Sequence, residues 1–381
     1  MRIGIAYLEY SRSKGIERIS AELADRIALR GHEVHFHCTK WDNAAGSLVQ
    51  FHKVRTLDFV NSAKLLSFSV AGKASLKRGR YDMTHSYGNL IGCDVITAQS
   101  CHRAGMDAAK AFRGRGIETR RNFGIADRLR LFLEHENYGR RRYWKVIACS
   151  NLVKRELISY YKVPEKDIIV IYNGVDTTEF NPGNRALFRE KIRQQCGIRA
   201  EDILILFVGN EFLRKGLHKA IEALAMVEEE QVKLLVCGSD LVEPFKRLAA
   251  KFQVEPRILF AGAQKNVEEY YAAADIFLLP TFHEAFGLVI TEAMASGLPV
   301  IVSKNAGAAE DIIVDGKDGV LISDPQSAKE LATKIRALVQ SPSMREEIGA
   351  QARQKVATYT WDLCAERVLE VYEEVCHEKS S

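Results

Sequence analysis

The sequence predicts an α/β protein with parallel sheets, laid out in two successive halves. Short apolar runs alternate with longer amphipathic segments along the whole chain, the pattern of strands joined by crossover helices. The alternation restarts at about Arg185, after a stretch, TTEFNPGNRALF, that carries turn residues and no period and reads as a linker. At 381 residues the chain is long enough for two domains, each with its own core.

In the first half, MRIGIAYL reads as a strand. GIERISAELADRIALRGHE reads as the helix after it, ending at Gly31, which tolerates the left-handed turn that closes helices. VHFHC, MTHSY, VITAQS and KVIACS read as further strands, NLVKRELISYY as a helix, and DIIVIYNGVD closes the half. In the second half ILILFVG is a strand and GLHKAIEALAMV a helix. VKLLVCG, RILFAG, DIFLLP, PVIVS and GVLI supply the remaining strands. No short solenoid repeat interrupts the two Rossmann-like halves. The predicted domains are residues 1–180 and 181–360, with an amphipathic segment, 361–381, that can fold back on the first.

An apolar fraction of 47% beside 27% charged residues is that of a soluble globular chain. No run approaches the roughly 18 apolar residues that span a bilayer. MRIGIAYLEY lacks the apolar core and cleavage site of a signal peptide, so a cytoplasmic location is expected. The eight cysteines are scattered, with no CxxC pair or Cys/His cluster, and read as reduced thiols rather than metal ligands. The net charge of +5 is unevenly spread: residues 101–145 hold twelve Lys/Arg against five acids. That basic stretch, from Arg103 to Lys145, is either a solvated helical face or a surface for an anionic acceptor or the anionic inner face of a membrane. No nucleic-acid motif accompanies it.

Ligands of open α/β sheets bind outside the carboxyl ends of the strands, and three motifs stand there. In SRSKGIERIS, Gly15 lets a phosphate approach a helix start; without G-x-G-x-x-G, a dinucleotide fingerprint is not supported. In FVGNEFLRKGLHKAIEAL, Arg214 and Lys215 put two cations at a strand mouth, Arg as a bidentate donor and Lys as a point charge, suited to a diphosphate. The third, PTFHEAFGLVITEAMASGLPVIV at residues 280–302, sets Glu284 and Glu292 on either side of a helix start expected near Phe286. Free N–H groups there attract an anion while the two acids accept hydroxyls, the layout of a nucleotide-sugar site. His102, after VITAQSC, is the histidine best placed to line a cleft, ahead of His85.

The segments IACSNLVKREL, VIYNGVDTTEFNP, FVGNEFLRKG, HEAFGLVITEAMASGLPVI and GVLI, in that order, resemble the family 4 retaining glycosyltransferases of the GT-B fold. Among these the chain is particularly similar to lipopolysaccharide core glucosyltransferases. The resemblance implies two domains facing each other across a cleft, the first on the acceptor side and the second holding the donor. It implies metal-independent, retaining transfer of a hexose, with UDP-glucose the favoured donor and no other cofactor, to a glycan or glycolipid such as lipopolysaccharide core. Other UDP-hexoses and GDP-mannose stay open as donors. By the same resemblance Gly15 supplies an amide near the diphosphate, and Arg214 and Lys215 bind it. Glu284 holds the donor sugar and Glu292 the ribose, while Phe286, Gly287 and Leu288 present amides to the phosphates. The base lies near Gly262 and Val267, and His102 joins the catalytic set from the first half. Gln99 stands where the lipopolysaccharide-core relatives carry Asp, and Lys14 where the family often has a second glycine. The competing readings are another GT-B enzyme, such as a nucleotide-sugar epimerase, and a non-catalytic sugar-nucleotide-binding protein.

Overall fold

A computed structural model of the chain describes residues 1–12, 15–42, 47–110 and 124–381. Two compact units result, one from Met1–Met106, 124–174 and Trp361–Ser381, the other from 107–110 and Val175–Thr360. Lys14 lies outside the described residues, as do Arg113, Arg115, Arg120 and Arg121 of the basic stretch.

The first unit holds β1 (Arg2–Ala6), β3 (Glu33–Cys38), β5 (Gln50–Lys53), β6 (Met83–Ser86), β7 (Val95–Ala98), β8 (Lys145–Ala148) and β9 (Ile168–Val170). They form one parallel sheet in the order β5-β3-β1-β6-β7-β8-β9, beside a two-stranded ladder of β2 (Glu9–Tyr10) and β4 (Lys40–Trp41). Its helices are α1 (Gly15–Leu29), α2 (Asn61–Gly79), α3 (His102–Lys110), α4 (Ile125–Glu134), α5 (Asn151–Tyr161) and α14 (Trp361–Ser380). β1, β7 and β8 are buried along almost their whole length, which is why they read as unbroken apolar runs: helices cover both faces of a parallel sheet.

The second unit contains α6 (Asn184–Gln195), β10 (Ile203–Val208), α7 (Leu217–Leu224), β11 (Val232–Cys237), α8 (Glu243–Lys251), β12 (Ile258–Gly262) and α9 (Val267–Ala273). It continues with β13 (Ile276–Leu279), α10 (Leu288–Ala295), β14 (Val300–Ser303), α11 (Gly307–Ile312), β15 (Val320–Ile322), α12 (Ala328–Gln340) and α13 (Pro342–Val356). Its parallel sheet runs β12-β11-β10-β13-β14-β15. In each sheet the strand order reverses beside the unit's first strand, between β1 and β6 and between β10 and β13. Such a switch point splays the connections apart and leaves a crevice at the carboxyl ends.

The expected linker is half wrong. Its last residues, NRALF, belong to α6. This helix has little apolar period to announce it. Arg185, Arg189 and Arg193, four residues apart on one face, instead reach Asp275 at 2.9, 2.8 and 3.2 Å.

α14 is tied into the first unit by polar contacts distant in sequence. Lys145 Nζ lies 2.6 Å from Glu374 and 3.0 Å from Glu378, and Lys379 Nζ lies 2.8 Å from Asp94. Lys145 is therefore a buried, doubly paired cation and leaves the basic surface. Arg140 and Arg142 share Glu136, each at 3.0 Å. The Tyr372 hydroxyl and His85 Nδ1 are 2.6 Å apart, and His85 Nε2 is 2.7 Å from the Thr97 hydroxyl. His85 is thus a core histidine. Burial pushes its pKa down to about 3, and burial with the neighbouring His52 and His35 does the same for His37, again to about 3.

Both groups hold a proton less readily folded than unfolded, so their share of stability is present above pH 6.5 and is lost as pH falls toward 3. The first unit is expected to lose about 1.4 kcal/mol per pH unit per histidine over that window. Urea unfolding between pH 7.5 and 5 measures it; a flat profile would show that neither ring is held neutral.

Candidate functional site

The loop after β10 needs unusual backbone. Gly209 has φ 148°, Glu211 φ 56° and Gly216 φ 81°. A Cβ on Gly209 would strike the Lys215 stem at 2.5 Å, and one on Gly216 the Pro280 carbonyl oxygen at 2.0 Å. Both glycines are required because the chain turns back on itself and then abuts the loop after β13. That second loop is pinned on both sides. Phe282 N–H donates to Arg214 O at 3.0 Å, and Glu284 N–H to Asn305 O at 3.2 Å. Gly307 and Ala308 N–H donate to Glu284 O and Phe286 O, both at 2.9 Å. Three loops from the carboxyl ends of β10, β13 and β14 are therefore fastened together across the switch point.

Their side chains converge. Lys215 Nζ donates to Glu284 Oε2 at 2.6 Å, and Arg214 approaches the same oxygen at 3.5 Å. Arg214 is itself aimed by Glu211 Oε2, which accepts from Nε, and by the His283 carbonyl. Lys215 is buried, so its ammonium acts in a low dielectric, where charge counts for more. Burial pushes the Glu284 carboxyl up, but Lys215 and Arg214 outweigh it and hold the group at about 2. At neutral pH Glu284 is a carboxylate, an acceptor of hydrogen bonds and no source of protons. Its Oε1 accepts no hydrogen bond from the described residues.

α10 starts at Leu288, two residues after Phe286, because Gly287 takes φ 90° and forms the N-cap in the left-handed region. Its first turn carries no acid, so the amides at its start face no internal anion on that turn. Glu292 lies on the second turn, buried, and accepts from the Tyr271 hydroxyl at 3.1 Å. Gly262 ends β12 with φ 72° and open space where a Cβ would stand, and Val267 opens α9. Arg214, Lys215, Glu284, Phe286, Gly287, Leu288 and Glu292 thus share the second unit's switch-point face.

Gly15 and His102 belong to the first unit. Gly15 is the first residue of α1, with nothing within 4 Å of a Cβ built on it. His102 opens α3, its Nε2 3.1 Å from Asp127 Oδ1. With residues of the loops after β1, β6 and β7 it lines a cavity of about 400 Å³. Gln99 pairs reciprocally with Asn173, at 3.0 and 2.9 Å.

Sequence reasoning missed three supporting groups. Glu211 stands three residues before Arg214, a spacing that would have suggested a partner. The His283 carbonyl and Tyr271 hydroxyl had no sequence signal, since both act across contacts of 69 and 21 residues.

Two family models, one on each half, match this chain and identify it as a GT-B glycosyltransferase. The family model described as Glycosyltransferase Family 4 matches residues 13–179, and that described as Glycosyl transferases group 1 matches residues 188–355. Among individual proteins, the chain is 28% identical to the lipopolysaccharide glucosyltransferase WaaG of Escherichia coli K12 over 351 residues, 90% of this chain and 91% of that one. The crystal structure of WaaG, a glycosyltransferase involved in lipopolysaccharide biosynthesis, superposes with a TM-score of 0.80 at 23% identity, over 97% of this chain and 99% of that one. Anabaena HepE in complex with UDP-glucose gives 0.75 at 19% identity, over 98% and 100%. At these identities both structures speak to the fold.

Gly216→Ala is expected to cost about 2 kcal/mol or more, since the residue adds strain at positive φ to a backbone collision. Thermal unfolding should place it well below wild type, while Gly15→Ala, with open space around it, should melt with wild type. Equal melting of Gly216→Ala and wild type would mean that the two loops are not fastened as described.

Proposed function

We propose that the chain is a retaining hexosyltransferase that moves glucose from UDP-glucose to a hydroxyl of a glycan or glycolipid acceptor, lipopolysaccharide core among the candidates. The observation that carries this is the Lys215–Glu284 contact of 2.6 Å, with Arg214 beside it, at the switch point of the second sheet. The names of WaaG and of the HepE complex support the choice of sugar, nucleotide and acceptor class.

In this reading the donor diphosphate lies on Arg214, Lys215 and the amides of Phe286, Gly287 and Leu288. Glu284 takes donor-sugar hydroxyls, Glu292 the ribose hydroxyls, and the base stacks near Gly262 and Val267. As the glycosidic bond breaks, negative charge grows on the leaving phosphate oxygen. Two cations and a helix start already stand where it develops, so stabilisation needs no metal ion. Glu284, held by those same cations, is a poor nucleophile, which disfavours the covalent route of retaining glycosidases. The acceptor hydroxyl instead attacks from the face the phosphate leaves and passes its proton to that phosphate. His102, its Nε2 3.1 Å from Asp127, is assigned to the acceptor side.

A cytoplasmic protein resting on the inner face of a membrane is the location we propose. Among the described residues no helix is long and apolar enough to cross a membrane. Leu57, Phe59, Val60, Leu66 and Val70 stay exposed on α2 and the loop before it, with Lys77 and Arg78 on its last turn. Apolar side chains beside cations suit an anionic bilayer surface.

Lys215→Ala should lower transfer from UDP-glucose by at least a hundredfold, with far-ultraviolet circular dichroism confirming a folded chain; near-normal turnover would sink the assignment. Gly15→Ala should melt like wild type yet lose transfer. UDP-glucose at 100 times its dissociation constant should stabilise the wild type by about 2.7 kcal/mol. Co-sedimentation with phosphatidylglycerol vesicles should weaken with salt and with Leu66→Ser plus Val70→Ser; indifference to lipid charge would leave those residues as a solvated face.

A further inference from the structure

A second cavity, of about 550 Å³, lies in the second unit at the opposite end of its sheet from the switch-point crevice. Asp275 in its wall leads into β13, and Leu298 and Pro299 lead into β14, so it opens at the amino ends of these strands. The donor residues stand at the carboxyl ends instead. Its volume is that of a small-molecule site.

The floor is apolar and closely built. Pro182, Leu298, Pro299 and Pro342 line it, where the turn after α10 meets α13. Gly297 takes φ 77° in that turn, and a Cβ on Gly349 of α13 would strike the Gly297 carbonyl oxygen at 2.3 Å. Backbone packed this tightly on backbone gives the cavity a fixed shape.

The rim is cationic. Arg185, Arg345 and Arg353 line it, against the carboxylates of Asp275 and Glu346. Asp275 is outnumbered, because Arg189 and Arg193 reach it as well as Arg185. Arg345 and Arg353 are held differently. Arg345 Nη1 donates to the carbonyls of Leu338 and Val339 at 2.5 and 2.9 Å. Arg353 donates to the carbonyls of Phe180 and Thr177 at 3.3 and 3.4 Å. Neither forms an ion pair among the described residues. A carbonyl orients a guanidinium without cancelling its charge, and each of these groups spends two N–H donors of its five. Two half-buried guanidiniums thus keep their charge and most of their donors beside an apolar floor. The partner that matches a guanidinium in this state is an oxyanion.

We infer that this cavity binds a small organic anion, a phosphate or carboxylate group carried on an apolar ring. The arginines of the rim draw the oxyanion, and the prolines and Leu298 of the floor cover the ring. The site is separate from the donor crevice and stands independently of the transferase reading.

Isothermal titration calorimetry on the full chain tests it, with UDP present at saturation so that the cations at Glu284 are occupied. Phenyl phosphate and benzoate should bind at one site, with phenol and inorganic phosphate at least tenfold weaker. Arg345→Gln and Arg353→Gln should each weaken phenyl phosphate about tenfold. Glu346→Gln, which removes a carboxylate from the wall, should tighten it about threefold. None of the three should change the affinity for UDP. Both arginines also hold backbone carbonyls, so Ala350→Glu, at an exposed position of the wall, serves where either variant fails to fold, and should weaken binding as much. Phenyl phosphate that does not bind, or that UDP displaces, overturns the inference. So does phenol or inorganic phosphate bound as tightly as phenyl phosphate, and so does binding that Ala350→Glu leaves unchanged.

Discussion

The contact between Lys215 and Glu284 is the constraint on which the second unit's site depends. Two opposite charges in a buried position are costly to desolvate, and they persist only where geometry and further hydrogen bonds compensate. Here the compensation comes from three loops laced together at the carboxyl ends of β10, β13 and β14. Gly209 gives the Lys215 stem its path, Gly216 lets the first loop touch the second, and Glu211 holds Arg214 in line. Glu284 serves as counter-ion to both cations. In the proposed reading a diphosphate would compete for them and leave the carboxylate to sugar hydroxyls.

The two units plant different residues at the same kind of switch point. In the second, α10 begins without an acid in its first turn and with two cations nearby. In the first, the start of α3 is capped by Glu134, and acids and cations both line the cavity beside it. A switch point supplies the crevice in both cases, and the side chains at its rim give each its own chemistry.

Much of this was legible in the sequence because burial writes itself as apolar runs. β7, β8, β13 and β14 are buried at every position and are unmistakable. The Arg214–Lys215 pair and the Glu284–Glu292 spacing were visible because glycines and strand ends punctuate them. The misses share another cause. α6 is held by three arginines on Asp275 across some 80–90 residues rather than by an apolar stripe, so periodicity could not see it. The start of α10 slipped by two residues because Gly287 adopts a left-handed conformation that no composition rule places. Lys145 looked like one more surface cation until α14, 229 residues on, supplied its carboxylate.

The central claim is that the second unit's switch-point cluster is built for a diphosphate. Comparing the affinities of UDP and uridine for the wild-type chain tests it most directly. The account predicts UDP binding at least a hundredfold tighter, about 2.7 kcal/mol, with most of that gap lost in Lys215→Ala. Equal affinities for UDP and uridine would contradict it, because the cations at Glu284 would then contribute nothing to holding the donor.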